Sequence, residues 1–282
     1  MTMGSMVLLL QQPHIHALHG ASRITFHVSR SRPTFQDQER NLIEAHEIVP
    51  GLWLFRGDAS GRNFTVLLGD AGAVVVDPGL PDAVTRFIAE MGGELEAIVL
   101  TGSLNSYDTQ PGAGDGPTSW LTIPILAPET FKDRTPLPIS MPAWDALPLS
   151  GTHPRMALYE TKERVLIAGD LLPEPSVGVP NLAGGADPYL ANLETIEALD
   201  PRLVVPSRGE PATGKRAVKA RIENDRNYVY SLVRHVGASA ASGVPLDRLL
   251  QVATDLYDDF PHLSAHLENM RRVWDEIAGT GF

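Results

Sequence analysis

Four turns constrain this chain more than any other feature. Asp77 closes the run VVVDPG, Thr101 closes IVLTGS, Asp170 closes LIAGDL, and Ser207-Arg208 close VVPSRGE. Each is a short apolar stretch that stops in small polar residues. Such stretches read as buried strands, and chemistry in α/β architectures gathers where strands end in loops. Four such turns along one chain imply a single shared site.

The runs LWLFRG, FTVLLGD, AIVLTG, TIPILAP, MALYE and RVLIAGD add further strands. Two helices separate some of them. In PDAVTRFIAEMGG, Val84, Phe87, Ile88 and Met91 recur at helical spacing and Gly92-Gly93 stops the helix. In DPYLANLETIEALD, Asp187 reads as the N-cap with Pro188 at the first helical position, followed by the stripe Tyr189, Leu193, Ile196 and Leu199. The remainder is helical, with one stripe at Val218, Ile222, Val229, Leu232 and Val236 and another at Leu263, Leu267, Met270, Trp274 and Ile277. The chain therefore divides into an N-terminal extension (1–45, partly irregular), an α/β core (46–211) and a C-terminal helical segment (212–282) packed on that core.

A chain of 282 residues can bury a sizeable core. A formal charge of −11 disfavours nucleic acid, because a phosphate backbone needs a basic face. The absence of Cys removes disulfides, thiolate zinc sites and cysteine catalysis. The start, MTMGSMVLLLQQPH, carries no basic residue ahead of its short apolar run and does not read as a signal peptide; no later run suits a bilayer span. The expectation is a soluble cytoplasmic protein acting on a small-molecule ligand or substrate, with no nucleic acid and no membrane partner, and with homo-oligomerisation open.

In order, the segments FTVLLGDAGAVVVDPG, DAVTRFIAEMGG, IVLTG, GTHPRMALYETKERVLIAGDLL and LDPRLVVPSRGEP resemble the metallo-β-lactamase fold superfamily, over roughly Glu47 to Pro211. The resemblance implies an αββα sandwich with a helical C-terminal extension, on which most members build two-metal hydrolases. The family pattern has a strand ending in Asp-Thr-Gly, a Thr-His-x-His-x-Asp-His loop, a Gly-His-Thr-Pro-Gly turn, a strand ending in Gly-Asp, and a Pro-Gly-His-Gly turn. Here the ligands are largely gone. After Thr101 come Gly102, Ser103, Leu104, Asn105, Ser106 and Tyr107, with Asp108 able to take the family Asp position only through an insertion. The histidine of the next turn is displaced to His153, and Arg208 replaces the last one. Asp170 alone is clearly kept.

Zinc needs three or four N, O or S ligands converging on it. Glycine and leucine offer none, and a guanidinium is a fixed cation without a lone pair. No metal and no cofactor is therefore expected. His14, His16 and His19 in PHIHALHG repeat the spacing of the lost motif, but Leu18 stands where its Asp belongs, and a flexible His-rich leader is the expectation. His262 and His266 lack an intervening HExxH-type Glu and read as packing or surface residues.

The expected site comprises Asp170, Arg208, His153, Tyr107 and Asp77 as catalytic candidates, with Ser103, Asn105, Ser106 and Asp108 lining the eroded loop. By the resemblance, Asp77 steadies the site. Arg208 would stabilise an oxyanion or bind a carbonyl or carboxylate. His153 or Asp170 would act as acid or base, and Tyr107 would donate a proton. No Ser lies in a G-x-S-x-G elbow, so no nucleophile is named. PGAGDG lacks the Lys-Ser/Thr of a P-loop and reads as a flexible loop over the site. A direct or one-water Asp170–Arg208 contact is expected, since a carboxylate buried without its cations is costly. Two functions follow: a metal-independent enzyme doing acid–base chemistry (hydrolysis, cyclisation, elimination or isomerisation) on a small carbonyl-bearing molecule, or a non-catalytic pseudoenzyme that binds a small ligand or a partner protein.

Overall fold

The computed structural model describes residues 16–18, 21–27, 42–56, 62–70, 72–78, 81–102, 123–137, 144–257 and 259–279. Two sheets lie face to face between layers of helix. The first has eight strands in sequential order: β1 (His16–Leu18), β2 (Ala21–His27), β3 (Leu42–Val49), β4 (Leu52–Arg56), β5 (Phe64–Leu68), β6 (Ala73–Val76), β7 (Leu95–Val99) and β8 (Ile125–Leu126). Helix α1 (Pro81–Glu90) makes the crossover between the parallel pair β6 and β7. The second sheet runs β14-β13-β12-β11-β10-β9, with β9 (Thr135–Pro136), β10 (Trp144–Leu149), β11 (Arg155–Glu160), β12 (Val165–Gly169), β13 (Leu203–Pro206) and β14 (Ala212–Thr213). Helix α2 (Ala186–Leu199) joins the parallel pair β12 and β13, and α3 (Lys215–Ala241), α4 (Leu246–Leu256) and α5 (Leu263–Gly279) follow.

The layers follow from the period of two along each strand. Leu52 and Leu54 on β4, Val74 and Val76 on β6, and Ala97 and Val99 on β7 face Met156, Leu158, Val165, Ile167, Leu203 and Val205 of the other sheet. Their alternates Trp53, Phe55 and Val75 turn outward onto Val84, Phe87 and Ile88 of α1. There Phe55 stacks on Phe64 with centroids 4.9 Å apart, and Phe87 meets Phe55 and Trp53 edge-on. On the other side Ala157, Tyr159, Leu166, Ala168 and Val204 pack under α2, α3 and α5. The expected stripe Val218, Ile222, Val229, Leu232 and Val236 is buried throughout. Among the described residues no helix is long and apolar enough to cross a membrane.

Several local expectations need correction. The segment around His16 is not a loose leader: β1 pairs antiparallel with β2, and β2 with β3, so the N-terminal extension continues the first sheet. His14 and His19 lie outside the described residues. WDALPL forms strand β10, whereas TIPILAP contributes only Ile125–Leu126. Asp187 does not cap α2. The helix starts two residues earlier than expected, at Ala186 after Gly185, and the Glu276 carboxylate on α5 accepts the Ala186 N–H at 3.0 Å. Met91 falls outside the apolar face of α1, 45% exposed.

At one end of the sandwich the sheets are stitched together. Thr101 O, just past β7, accepts Met156 N–H of β11 at 2.9 Å. Asn63, just before β5, donates its backbone N–H to Ser207 O at 2.7 Å. Its buried side chain donates to Pro206 O at 3.0 Å and Gly209 O at 2.6 Å. Ser207 N–H reaches Gly169 O at 2.7 Å. Gly169 has φ +57°, and a Cβ there would lie 2.3 Å from Thr101 Oγ1. By contrast Gly92 has φ +75° with nothing within 4 Å of an added Cβ. Gly92→Ala should cost about 1–2 kcal/mol from its backbone conformation alone. Gly169→Ala should cost clearly more in urea unfolding, because Thr101 must move as well; equal losses would show that this contact is soft.

Candidate functional site

The stitched end brings the four polar turns together. Asp77, left-handed at φ 50°, follows β6. Its Oδ1 accepts Thr101 N–H at 2.7 Å and its Oδ2 accepts the Thr101 hydroxyl at 2.5 Å. One carboxyl thus holds both donors of the residue at which the eroded loop begins. Burial pushes Asp77 from an ordinary 3.8 up to about 6, overcoming the two Thr101 hydrogen bonds, which favour the anion. The nearby Asp170 charge pushes the same way, and Arg62 opposes it.

Beside Thr101 lies a small notch of about 210 Å³, open mouth included. Among the described residues its polar lining is Thr101, Arg155 and Asp170. Leu149, Met156, Ala168 and Leu171 supply apolar wall. Asp170 is exposed and accepts Ser207 Oγ–H at 2.8 Å. Arg155, at the start of β11, is half-buried and donates one guanidinium N–H to Asn181 O at 3.0 Å. Burial lowers the Arg155 pKa, and the Asp170 charge works against that shift. The two charges sense one another without a direct ion pair. A guanidinium has five N–H donors, so Arg155 keeps donor capacity for a ligand.

The segment holding Arg155 is itself pinned by α5. Asn269 Oδ1 accepts Leu182 N–H at 3.2 Å and its amide donates to Pro180 O at 2.7 Å, while Arg272 donates to Asn181 Oδ1 at 3.2 Å. The C-terminal helix therefore sets one wall of the notch through a short loop.

The expected residues are distributed unevenly around this centre. Asp170 lines the notch, and Asp77 stands behind it through Thr101. Arg208 is half-buried, forms a backbone bridge to Arg62, and its carbonyl accepts Glu174 N–H at 3.2 Å. It makes no direct ion pair with Asp170, which is hydrogen-bonded instead to Ser207; the charge expected at Arg208 is supplied within the notch by Arg155. An exposed carboxylate needs no buried counter-ion, which removes the reason for that pairing. His153 is exposed on the preceding turn, with Nδ1 3.0 Å from its neighbour's Thr152 Oγ1, and is not among the residues lining the notch. Tyr107, Ser103, Asn105, Ser106 and Asp108 lie outside the described residues. Sequence reasoning missed Arg155 and Asn63. Arg155 directly follows the GTHP turn at a strand end, which was the available signal; Asn63 had none.

The donor set does not fit a zinc pair. Among the described residues Asp170 has no histidine beside it in the notch, Asp77 is committed to Thr101, and Arg155 brings a fixed positive charge. Residues 103–122 contain neither His nor Cys. Among the described residues no group of three or more His, Asp or Glu is placed to hold a metal ion.

This architecture is the metallo-β-lactamase fold. A metallo-β-lactamase family protein from Thermus thermophilus superposes with TM-score 0.54 at 18% identity, over 83% of this chain and 95% of that one. A β-lactamase domain protein from Burkholderia ambifaria matches with TM-score 0.54 at 17% identity, over 84% and 88%. The stereoselective inverting sec-alkylsulfatase Pisa1 from Pseudomonas sp. matches with TM-score 0.59 at 13% identity, over 83% of this chain and 50% of that one. No protein-family model and no curated protein matches the sequence.

The Asp77 shift sets a pH dependence. The native state binds this proton more tightly than the unfolded chain. Its contribution to stability therefore declines as pH rises from about 4 to about 6 and is flat above. Asp77→Asn should reduce the slope of urea-derived stability against pH in that window. An unchanged slope would mean that the carboxyl titrates as it does in the unfolded chain.

Proposed function

We propose that the chain is a metal-independent enzyme on a hydrolase-type scaffold, acting by acid–base chemistry on a small carbonyl-bearing molecule. The observation that carries this reading is the pairing, in one notch, of the retained Asp170 with the spare N–H groups of Arg155. Arg155 would hold a substrate carbonyl or carboxylate and stabilise negative charge developing on its oxygen. Asp170, exposed and oriented by Ser207, would take or return the proton. Thr101, fixed through Asp77, would set the opposite wall. With an ester or lactone, Asp170 would deprotonate a water that attacks the carbonyl carbon and return the proton to the departing alkoxide; with an enolisable ketone it would take the α-proton, and in both cases Arg155 would hold the oxygen that gains charge.

The non-catalytic reading has its own support. Even with its open mouth counted the notch falls short of the roughly 300–1,000 Å³ of typical ligand pockets, and its enclosed part has room for about one water. Neither His153 nor Arg208 joins its lining, so Asp170 is the sole acid–base side chain among the described lining residues. Two variants separate the readings in a screen of p-nitrophenyl esters and small lactones run with chelator present. For the enzyme, Asp170→Asn should lower kcat by about 10²–10⁴-fold while leaving KM close to the parent value, and Arg155→Gln should lower kcat/KM. For the binder, no member of the screen turns over, and Arg155→Gln weakens ligand association while Asp170→Asn does not. Full turnover by both variants would contradict the assignment of the notch.

A further inference from the structure

Below the turn that carries Asp170 lies a buried ionisable group that the proposed chemistry does not use. Asp225 sits on α3 with 0% exposure, in the middle of the helix's apolar stripe between Ile222 and Val229. Its Oδ2 accepts the Tyr189 hydroxyl of α2 at 2.6 Å, in the core. Its Oδ1 has no partner among the described residues. The same Tyr189 oxygen accepts Leu172 N–H at 3.4 Å. Arg221, one turn earlier on α3, donates to Leu172 O at 3.0 Å and to Glu210 O at 3.2 Å. Leu172, two residues after Asp170, is thus gripped at both its backbone N–H and its carbonyl. It needs the grip: it is a fully buried leucine at φ 54°, a left-handed conformation that costs a branched side chain energy.

We propose that Asp225, acting through Tyr189 and alongside Arg221, is a proton-operated latch on the Asp170 turn: protonated it leaves the turn closed, and ionised it draws water in and loosens it. The orphan oxygen gives the direction. A buried carboxylate oxygen without a donor forfeits its full hydration; the Asn224 side chain favours the anion but closes no hydrogen bond to this oxygen, so incoming water is what would restore it. The neutral acid forfeits far less. Leu172, held against its own backbone preference, is the element that yields. The charged and titratable groups facing Asp225 are Tyr189 from α2 and Arg221 and Tyr228 from α3, and Tyr228 in turn contacts His266 of α5 at 3.0 Å. Burial outweighs Arg221 and the hydrogen bonds and lifts Asp225 to about 6, which agrees in sign with the geometry.

The proposal builds on the placement of Asp170 in the site, but its test reads the turn directly and needs no turnover, so the two fail separately. Amide hydrogen exchange at Leu172, corrected for intrinsic rates, is measured from pH 4 to 7. Its protection should fall by up to about tenfold per pH unit between about 4 and 6 and then level off. Asp77→Asn, which removes another carboxyl that burial raises into this range, should keep the fall. Asp225→Asn should abolish it. Tyr189→Phe, which removes the connecting hydroxyl and serves if Asp225→Asn does not fold, should leave Leu172 poorly protected at every pH. A flat profile in the parent protein would overturn the latch, as would a fall that survives Asp225→Asn or Tyr189→Phe.

Discussion

The site exists because two sheets are tied together at one end by peptide hydrogen bonds. Thr101 to Met156 and Asn63 to Ser207 bind the first sheet to the second where their strands stop. A face-to-face sandwich would otherwise meet only through apolar side chains, which set spacing but not the relative height of strand ends. These polar ties fix that height. They place the ends of β6, β7, β12 and β13 at one level, so that Asp77, Thr101, Asp170 and Ser207 share a neighbourhood. Gly169 permits the closest approach, since any side chain there would strike Thr101.

The same scaffold holds a different set of side chains at its strand ends. Asp77 clamps Thr101 and Asp170 directly follows β12, while among the described residues no histidine lines the notch. The cation lining the notch is Arg155, oriented by Asn181 and, through that loop, by α5. A guanidinium offers charge and directed N–H donors but no ionisable water, so it suits polarising or holding an oxygen rather than generating a hydroxide. Fold likeness at 13–18% identity carries the architecture to this chain and leaves the reaction to be argued from these side chains.

Much of the fold was legible because it rests on local periodicity. Strands buried on both faces, such as FTVLL, AVVV and VLIAG, show as unbroken apolar runs, and α3 shows its stripe over about five turns. Strand β10 was hidden by Pro148, which sits past the last β9 partner, Ala146, where a missing ladder donor is tolerated. The strands of the N-terminal extension were hidden because their partners lie on separate short segments and β1 is only three residues long. In the site, Asp77 and Asp170 were visible as strand-end carboxylates. Arg155, Asn63 and Asp225 were not, because their roles come from neighbours 26, 143 and 36 positions away in the chain. Asp225 left one trace, a charged residue on an otherwise apolar helical stripe.

The central claim is that fixed charges and hydrogen bonds occupy the role metals play in two-metal hydrolases of this fold. The direct measurement is the metal content of the full-length protein, purified without chelator from zinc-supplemented medium and read by elemental analysis beside its melting temperature with and without chelator. The account predicts well under one zinc, iron or manganese ion per chain and a melting temperature that chelator leaves unchanged. Two tightly held ions per chain, or a chelator-induced fall in melting temperature, would contradict it.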